Sequence, residues 1–225
     1  MGIVSSKVGN GEGMAIDNRL LVVGAGGHAK VVIDAVRVAG WNPIAALDRL
    51  GRGHACCGVP VVGTEDQAQH LFADGLRNAV VAIGTNDIRA AIGARLLKIG
   101  FGCPAILHPA STISTHATIG TGTVVMAGAV INAAARIGDF VIVNTNATVE
   151  HDCVVGNAAH IAPRAVVGGD VQIGDGVLLG IGSVVKPQTI IGRGAIIGAG
   201  SVVVSAIPEN VEAVGLPARP RRSLA

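Results

Sequence analysis

Starting at Ile113 and stepping by six, the chain places an aliphatic residue at every stop: Ile113, Ile119, Val125, Ile131, Ile137, Val143, Val149, Val155, Ile161, Val167, Ile173, Leu179, Val185, Ile191, Ile197 and Val203. The position four further on is small or Val in Ala117, Thr123, Ala129, Ala135, Val141, Ala147, Cys153, Ala159 and Ala165. Helices and ordinary strands repeat every ~3.6 and ~2 residues and have no reason to keep this period. A chain that turns a corner every six residues does. Each aliphatic side chain then points inward and stacks on its equivalent in the next coil. With three sides to a coil a turn takes about 18 residues, so the array predicts a β-solenoid of about five coils.

The pattern ahead of the array is different. RLLVVGAGGHAKVVIDAVRVAGW opens with an apolar run, Leu20 to Val23, that ends in glycines and passes into apolar residues at helical spacing, Val31, Val32, Ala35, Val38 and Ala39. This reads as strand, tight turn, helix. A second strand is expected over Pro43 to Leu47, ending at Asp48, and a third over Ala79 to Ile83, ending in GTND ahead of the helical stretch Ile88 to Lys98. The alternation predicts a small, Rossmann-like parallel α/β domain. Ligands of such sheets lie beyond the carboxyl ends of the strands, where Gly24 to His28, Asp48 and Gly84 to Arg89 all fall. The expected organisation is a polar, Gly-rich disordered leader over 1–18, the α/β domain over 19–107, the solenoid over 108–207 and a tail over 208–225.

Composition suits thin repetitive layers, with 33 Gly against only 3 Phe, 1 Trp and no Tyr. The net charge is +2 and the cations are scattered, apart from Arg219, Arg221 and Arg222, so no basic face for nucleic acid is visible. The 4 Cys include the adjacent Cys56 and Cys57 and show no CxxC spacing. They read as reduced structural thiols of a cytoplasmic protein, with no metal site. Apolar runs break too early for a membrane span, and a secretory leader is not apparent.

The repeat resembles that of the hexapeptide-repeat acyltransferases, which implies a left-handed parallel β-helix working as a trimer. Handedness rests on that resemblance alone, since the general crossover rule favours the right-handed form. Across about residues 19 to 221, VVGAGGHAKVV, the LDR segment, AIGTNDIR, LHPAS, NATVEHDCVVG, AHIAPRAVVGGDVQIG and GLPAR are similar to the sialic acid O-acetyltransferase family. That family includes the N-acetyltransferases of nucleotide-linked bacillosamine and perosamine. The resemblance implies a cytoplasmic, metal-independent enzyme of polysaccharide biosynthesis. Acetyl-CoA would be its co-substrate, and the acceptor the 4-amino group of a GDP- or UDP-linked 4-amino-4,6-dideoxy sugar.

Acetyl transfer from a thioester needs a neutral amine, a group to take its proton, and donors for the developing oxyanion. In VEHDCV, His151 follows the inward Val149 by two residues, flanked by Glu150 and Asp152. An imidazole with the ordinary pKa of about 6.5 can be neutral and accept a proton. A neighbouring carboxylate can hold its tautomer and stabilise the imidazolium. A lone His at a corner reads as a solvated residue, and the surrounding motif tips His151 to catalysis. By resemblance His151 is the general base and Asp152 assists it, although on an extended strand the two would point to opposite faces.

The resemblance further implies that His160 contacts the acetyl thioester, that the Gly169 N–H meets its carbonyl, and that the backbones of Ile181 and Ala199 follow the pantetheine arm. Arg219, Arg221 and Arg222 are either contacts to coenzyme A phosphates or merely solvated. His151 and His160 are nine residues apart, half of an 18-residue coil, so one prism should hold them on opposing sides. A single acetyl group touching both needs a site shared between protomers. In the first half the resemblance assigns Gly26, Gly27 and His28 to phosphates, Asp48 to the base, and Thr85, Asn86 and Arg89 to ribose or phosphates. GAGGHA has Ala29 where a dinucleotide fingerprint has its third Gly, so NAD binding stays open from this half alone, without hydride chemistry downstream. Two other readings are O-acetylation of sialic acid or another sugar hydroxyl by the same base, and a non-catalytic scaffold that binds nucleotide sugars.

Overall fold

A computed structural model describes residues 17–224, and the expected leader lies outside the described residues except for its last two positions. Arg19–Val23 forms strand β1 and Gly27–Val38 helix α1. The turn between them needs glycine at position 24, where φ is +110° and a Cβ would come 2.8 Å from the Ala82 carbonyl oxygen. Ala29, Val32, Ile33 and Val36 make the buried stripe of α1. Val31 and Val38, expected on that stripe, are exposed.

Strand β2 spans Asn42–Leu47. It is followed by β3, Ala55–Cys56, and β4, Val59–Gly63, a short antiparallel hairpin that the hydrophobic pattern did not predict. Helix α2, Ala68–Ala73, strand β5, Asn78–Val81, and helix α3, Asn86–Ile99, complete the domain. The strand order is β3-β4-β2-β1-β5, parallel except for β3. The chain lays β2 and β4 to one side of β1 and returns to the other side for β5. The carboxyl ends of β1 and β5 therefore meet at a topological switch point, the usual ligand crevice of such sheets.

From Ile106 the chain winds as a three-faced parallel β-helix of two-residue strands. One face carries Ile106–Leu107, Val124–Val125, Ile142–Val143, His160–Ile161, Leu178–Leu179 and Ile196–Ile197. We call it the docking face. The valine face carries Thr112–Ile113, Val130–Ile131, Thr148–Val149, Val166–Val167, Val184–Val185 and Val202–Val203. The third face has five strands, from Thr118–Ile119 to Ile190–Ile191. From Ile113 on, the second residue of each strand is the aliphatic of the sequence period and faces the interior, together with the small residue four positions on, whereas in the first strand Leu107 is exposed and Ile106 is buried. Thr123 fits that interior because its hydroxyl donates to the Gly138 carbonyl and accepts from the Val141 N–H. Ile113 and Ile119, in the first coil, are only half-buried.

The α/β domain sits on the lower coils of the docking face. Val124, Ile106 and Met126 share a core with Val32, Ile33 and Val36 of α1. Phe140, at a coil corner, reaches the other core, with Ile92 and Leu96 of α3. Gly93 in the middle of α3 makes room for it: a Cβ there would lie 2.5 Å from the Phe140 ring. The segment expected as a tail is a hairpin of Val211–Gly215 and Ala218–Ser223 that extends the docking face to eight strands. Its Ala213 and Ala218 close the end of the helical core, a role without the period that marked the coils. Among the described residues no helix is long and apolar enough to cross a membrane.

Candidate active site

Above the docked domain, a groove of about 1060 Å³ runs across the docking face. The outward side chains of His160, Leu178 and Ile196 lie on its floor, since they are first residues of their strands. The start of α3, Gly84 to Asp87, makes one wall. Ile181 and Ala199 line the corner between the docking and valine faces, and Arg193 the corner on the opposite side. The structure thus gathers His160, Ile181, Ala199, Thr85 and Asn86 around one space. His28, at the start of α1, adjoins it with its ring 6.2 Å from that of His160.

The His160 ring has a defined tautomer. Asn144 Oδ1 accepts from the Thr145 N–H, which turns Asn144 Nδ2 toward His160 Nε2 at 3.0 Å. His160 Nε2 is therefore an acceptor, and the proton of the neutral ring sits on Nδ1, with the Gly84 carbonyl beside the ring. Burial first, then the positive charge of Arg89 and the neighbouring His28, push the His160 pKa down to about 4. Burial and Arg89 do the same to His28, also to about 4. Both rings are neutral at physiological pH. The Nε2 of His28 is buried without a hydrogen-bond partner.

Arg89, assigned from the sequence to ribose or phosphate, is only 1 % exposed and points inward. Nε donates to the Phe140 carbonyl, Nη1 to those of Ile83 and Gly84, and Nη2 to Asn86 Oδ1 and the Ala158 carbonyl. Every N–H is used within the protein, which leaves none for a phosphate and corrects that assignment. Asn86 is similarly engaged, its Nδ2 donating to the carbonyls of Gly176 and Val177. Asp48 accepts from the N–H groups of Ala25 and Leu50 and so holds the glycine turn in place. Gly26 and Gly27 are exposed with open space around them, as an anion-holding turn at the start of a helix requires.

His151 and Asp152 lie elsewhere, at the corner between the valine and third faces. Asp152 has φ +63°, so the pair sits in a turn and not on an extended strand. The carboxylate bends back to accept from His151 Nδ1 at 2.7 Å. With the proton of the neutral ring on Nδ1, Nε2 is left as the accepting nitrogen. The bond to Asp152, then the charges of Glu150 and Asp170, raise the His151 pKa above its ordinary value. Gly169 occupies the same corner one coil on, where a Cβ would come 2.7 Å from the His151 ring. Its N–H donates to no other described backbone group. Of the terminal arginines, Arg222 pairs with Glu212 at 2.6 Å. Among the described residues no cluster of His, Cys, Asp or Glu could hold a metal ion. The cysteines are free thiols.

Within one chain, then, the candidate residues form two groups, a groove and a His-Asp corner, on different sides of the prism. Asn144, which sets the His160 tautomer, escaped the sequence reading. Its outward position is visible only once the coil register is known, 16 residues before His160.

An α/β domain with an open glycine turn is thus seated on a β-helix that carries a long groove. Residues 19–96 match the PglD N-terminal domain family and residues 170–205 the bacterial transferase hexapeptide (six repeats) family. The structure of PerB from Caulobacter crescentus in complex with CoA and GDP-perosamine superposes with a TM-score of 0.88 and 40% identity, over 90% of this chain and 97% of that one. The acetyltransferase domain of PglB from Neisseria gonorrhoeae FA1090 does so with a TM-score of 0.87 and 40% identity, over 91% and 100%. The UDP-N-acetylbacillosamine N-acetyltransferase of Bacillus subtilis (strain 168) is 39% identical over 115 residues, 47% of this chain, and this chain spans half (50%) of that relative's length. The chain belongs to the nucleotide-sugar N-acetyltransferases of the hexapeptide-repeat family, and its solenoid is the left-handed β-helix of that family.

Proposed function

We propose that this protein transfers the acetyl group of acetyl-CoA to the 4-amino group of a GDP- or UDP-linked 4-amino-4,6-dideoxy sugar in the cytoplasm, with His151 as general base. The PerB structure, solved with CoA and GDP-perosamine, supports both substrate classes. The observation that carries the reading is the His151 Nδ1 bond to Asp152, which leaves Nε2 ready to take a proton. In the reaction the amine nitrogen attacks the thioester carbonyl carbon, and the Gly169 N–H donates to the developing oxyanion. The amine proton passes to His151 Nε2. The C–S bond then breaks, and the coenzyme A thiolate leaves and is protonated. The Gly26-Gly27 turn and His28 hold the phosphates, Asp48 steadies the turn near the base, and Thr85 faces the sugar side of the groove.

The active unit is a homotrimer with sites between subunits. Among the first residues of the valine-face strands, Val166, Val184 and Val202 follow one another as an apolar stripe, with Val166 38% and Val184 40% exposed in the single chain. An exposed stripe of that kind marks a contact surface. One edge of the valine face carries the groove residues Ile181 and Ala199, and the other carries His151 and Gly169. A head-to-tail ring brings the His151 edge of one subunit to the groove edge of the next.

The test is release of coenzyme A in the presence of GDP- and UDP-linked 4-amino sugars and of their 4-hydroxy counterparts. Turnover with an amino sugar and none with the hydroxy sugar is expected. Turnover with sialic acid or hydroxy sugars alone would replace the reading by O-acetylation, and no turnover with any acceptor would refute it.

A further inference from the structure

We propose that Arg89 is a positioning residue: it locks the nucleotide-sugar side of the site to the acetyl-donor side by tying the loop after β5 to the coil that carries His160. This rests on the acetyltransferase reading above. On the domain side Arg89 holds the carbonyls of Ile83 and Gly84, and on the β-helix side those of Phe140, Ala158 and Ala159. Asn86, three residues earlier on α3, accepts from Arg89 and donates to the carbonyls of Gly176 and Val177. Ala158 and Ala159 and Gly176 and Val177 are equivalent corner positions in successive coils. With Phe140, the equivalent corner one coil earlier, Arg89 and Asn86 grip three successive rungs of the β-helix from one turn of α3.

An apolar residue would dock two domains with less desolvation than a buried guanidinium whose partners are all uncharged oxygens. What the guanidinium adds is direction, because its planar fork sets several carbonyls at once. One of them, Gly84, lies beside His160. The groups that bear on the charge of His160 are Arg89 from α3 and His28 from α1, with Asn144 bonded to Nε2 from the coil below. Arg89 thus fixes both the place of Thr85 and Asn86 at the groove wall and the neutral, Nδ1-protonated state of His160 on its floor.

The experiment compares wild type with Arg89→Met and Arg89→Lys in the full chain, using steady-state kinetics and ¹⁵N NMR of the His160 ring. Wild type should show the Nδ1–H tautomer, unprotonated at pH 6. In Arg89→Met the midpoint of His160 should rise and the tautomer preference should weaken. Its kcat should fall roughly 100-fold, as for a misplacement of about 1 Å, with little change in either KM. Arg89→Lys, which keeps the charge and is the milder change if Arg89→Met does not fold, should keep His160 neutral yet lose kcat. A folded variant with unaltered His160 signals and near wild-type kcat overturns the proposal. So does a rise confined to the KM of the nucleotide sugar, which would mean direct phosphate contact. If wild type acetylates no amino sugar, the functional reading fails, and the NMR comparison still decides what Arg89 does to His160.

Discussion

At the scale of single residues, the His151 and Asp152 corner makes the sharpest claim. Only the neutral imidazole can accept the amine proton, so kcat/KM should rise as pH climbs through the His151 midpoint. The bond to Asp152 raises that midpoint, so the rise should lie above the ~6.5 of an unpaired histidine. Asp152→Asn should move the limb to lower pH and reduce turnover, while His151→Asn should lower kcat by roughly 10²–10⁴-fold at every pH. A pH profile of kcat/KM for the three proteins checks this, and an unshifted limb in Asp152→Asn would separate the carboxylate from the base. His151 and its neighbour were singled out in the sequence by the resemblance that VEHDCV carries, between the in-period Val149 and Val155. Their contact was not, since it depends on Asp152 taking a left-handed corner conformation that an extended-strand picture excludes. Arg89 was assigned to ribose or phosphate by the resemblance, and nothing local in the sequence shows that a second domain covers it and takes up its N–H groups.

Among the elements, the coils were readable to the residue and the α/β domain only in outline. Six-residue spacing reports burial beyond the half-buried first coil, so Ile161 or Val185 is placed by counting alone. The short hairpin at Ala55–Gly63 has too few alternating positions to stand out, and the closing hairpin follows no repeat. The joint between the two parts is equally silent in sequence. In a free helix Gly93→Ala would stabilise α3 by about 1 kcal/mol through backbone propensity. Here the added Cβ would stand 2.5 Å from the Phe140 ring, and the ring is packed among α3 and the sheet. Overpacking of that kind costs about 1–3 kcal/mol and outweighs the propensity gain. Gly93→Ala should therefore lower the melting temperature, and Gly93→Ala combined with Phe140→Leu should recover part of the loss. Thermal denaturation of both variants decides the sign. A Gly93→Ala protein more stable than wild type would show that the joint can yield.

For the whole molecule, the valine face turns two incomplete half-sites into an argument about assembly. His151 stands at one edge of that face and Ile181 at the other, so neither can serve the other within a single prism. Two variants test this together: His151→Asn, which keeps the groove, and Ile181→Arg, which fills it and keeps the base. Each alone should be nearly inactive while still assembling as a trimer by light scattering. Unfolded together and refolded as an equal mixture, they should form rings in which some interfaces join an intact His151 edge to an intact groove edge. With random mixing that junction arises at roughly a quarter of the interfaces, so about a quarter of wild-type activity should return. Sites contained within one chain would restore nothing at any mixing ratio, because every chain carries one lesion. A wild-type monomer that is fully active would defeat the shared-site reading even more directly. Recovery that appears only after subunit exchange, and scales with the product of the two fractions, is the outcome that shape and chemistry of this β-helix lead us to expect.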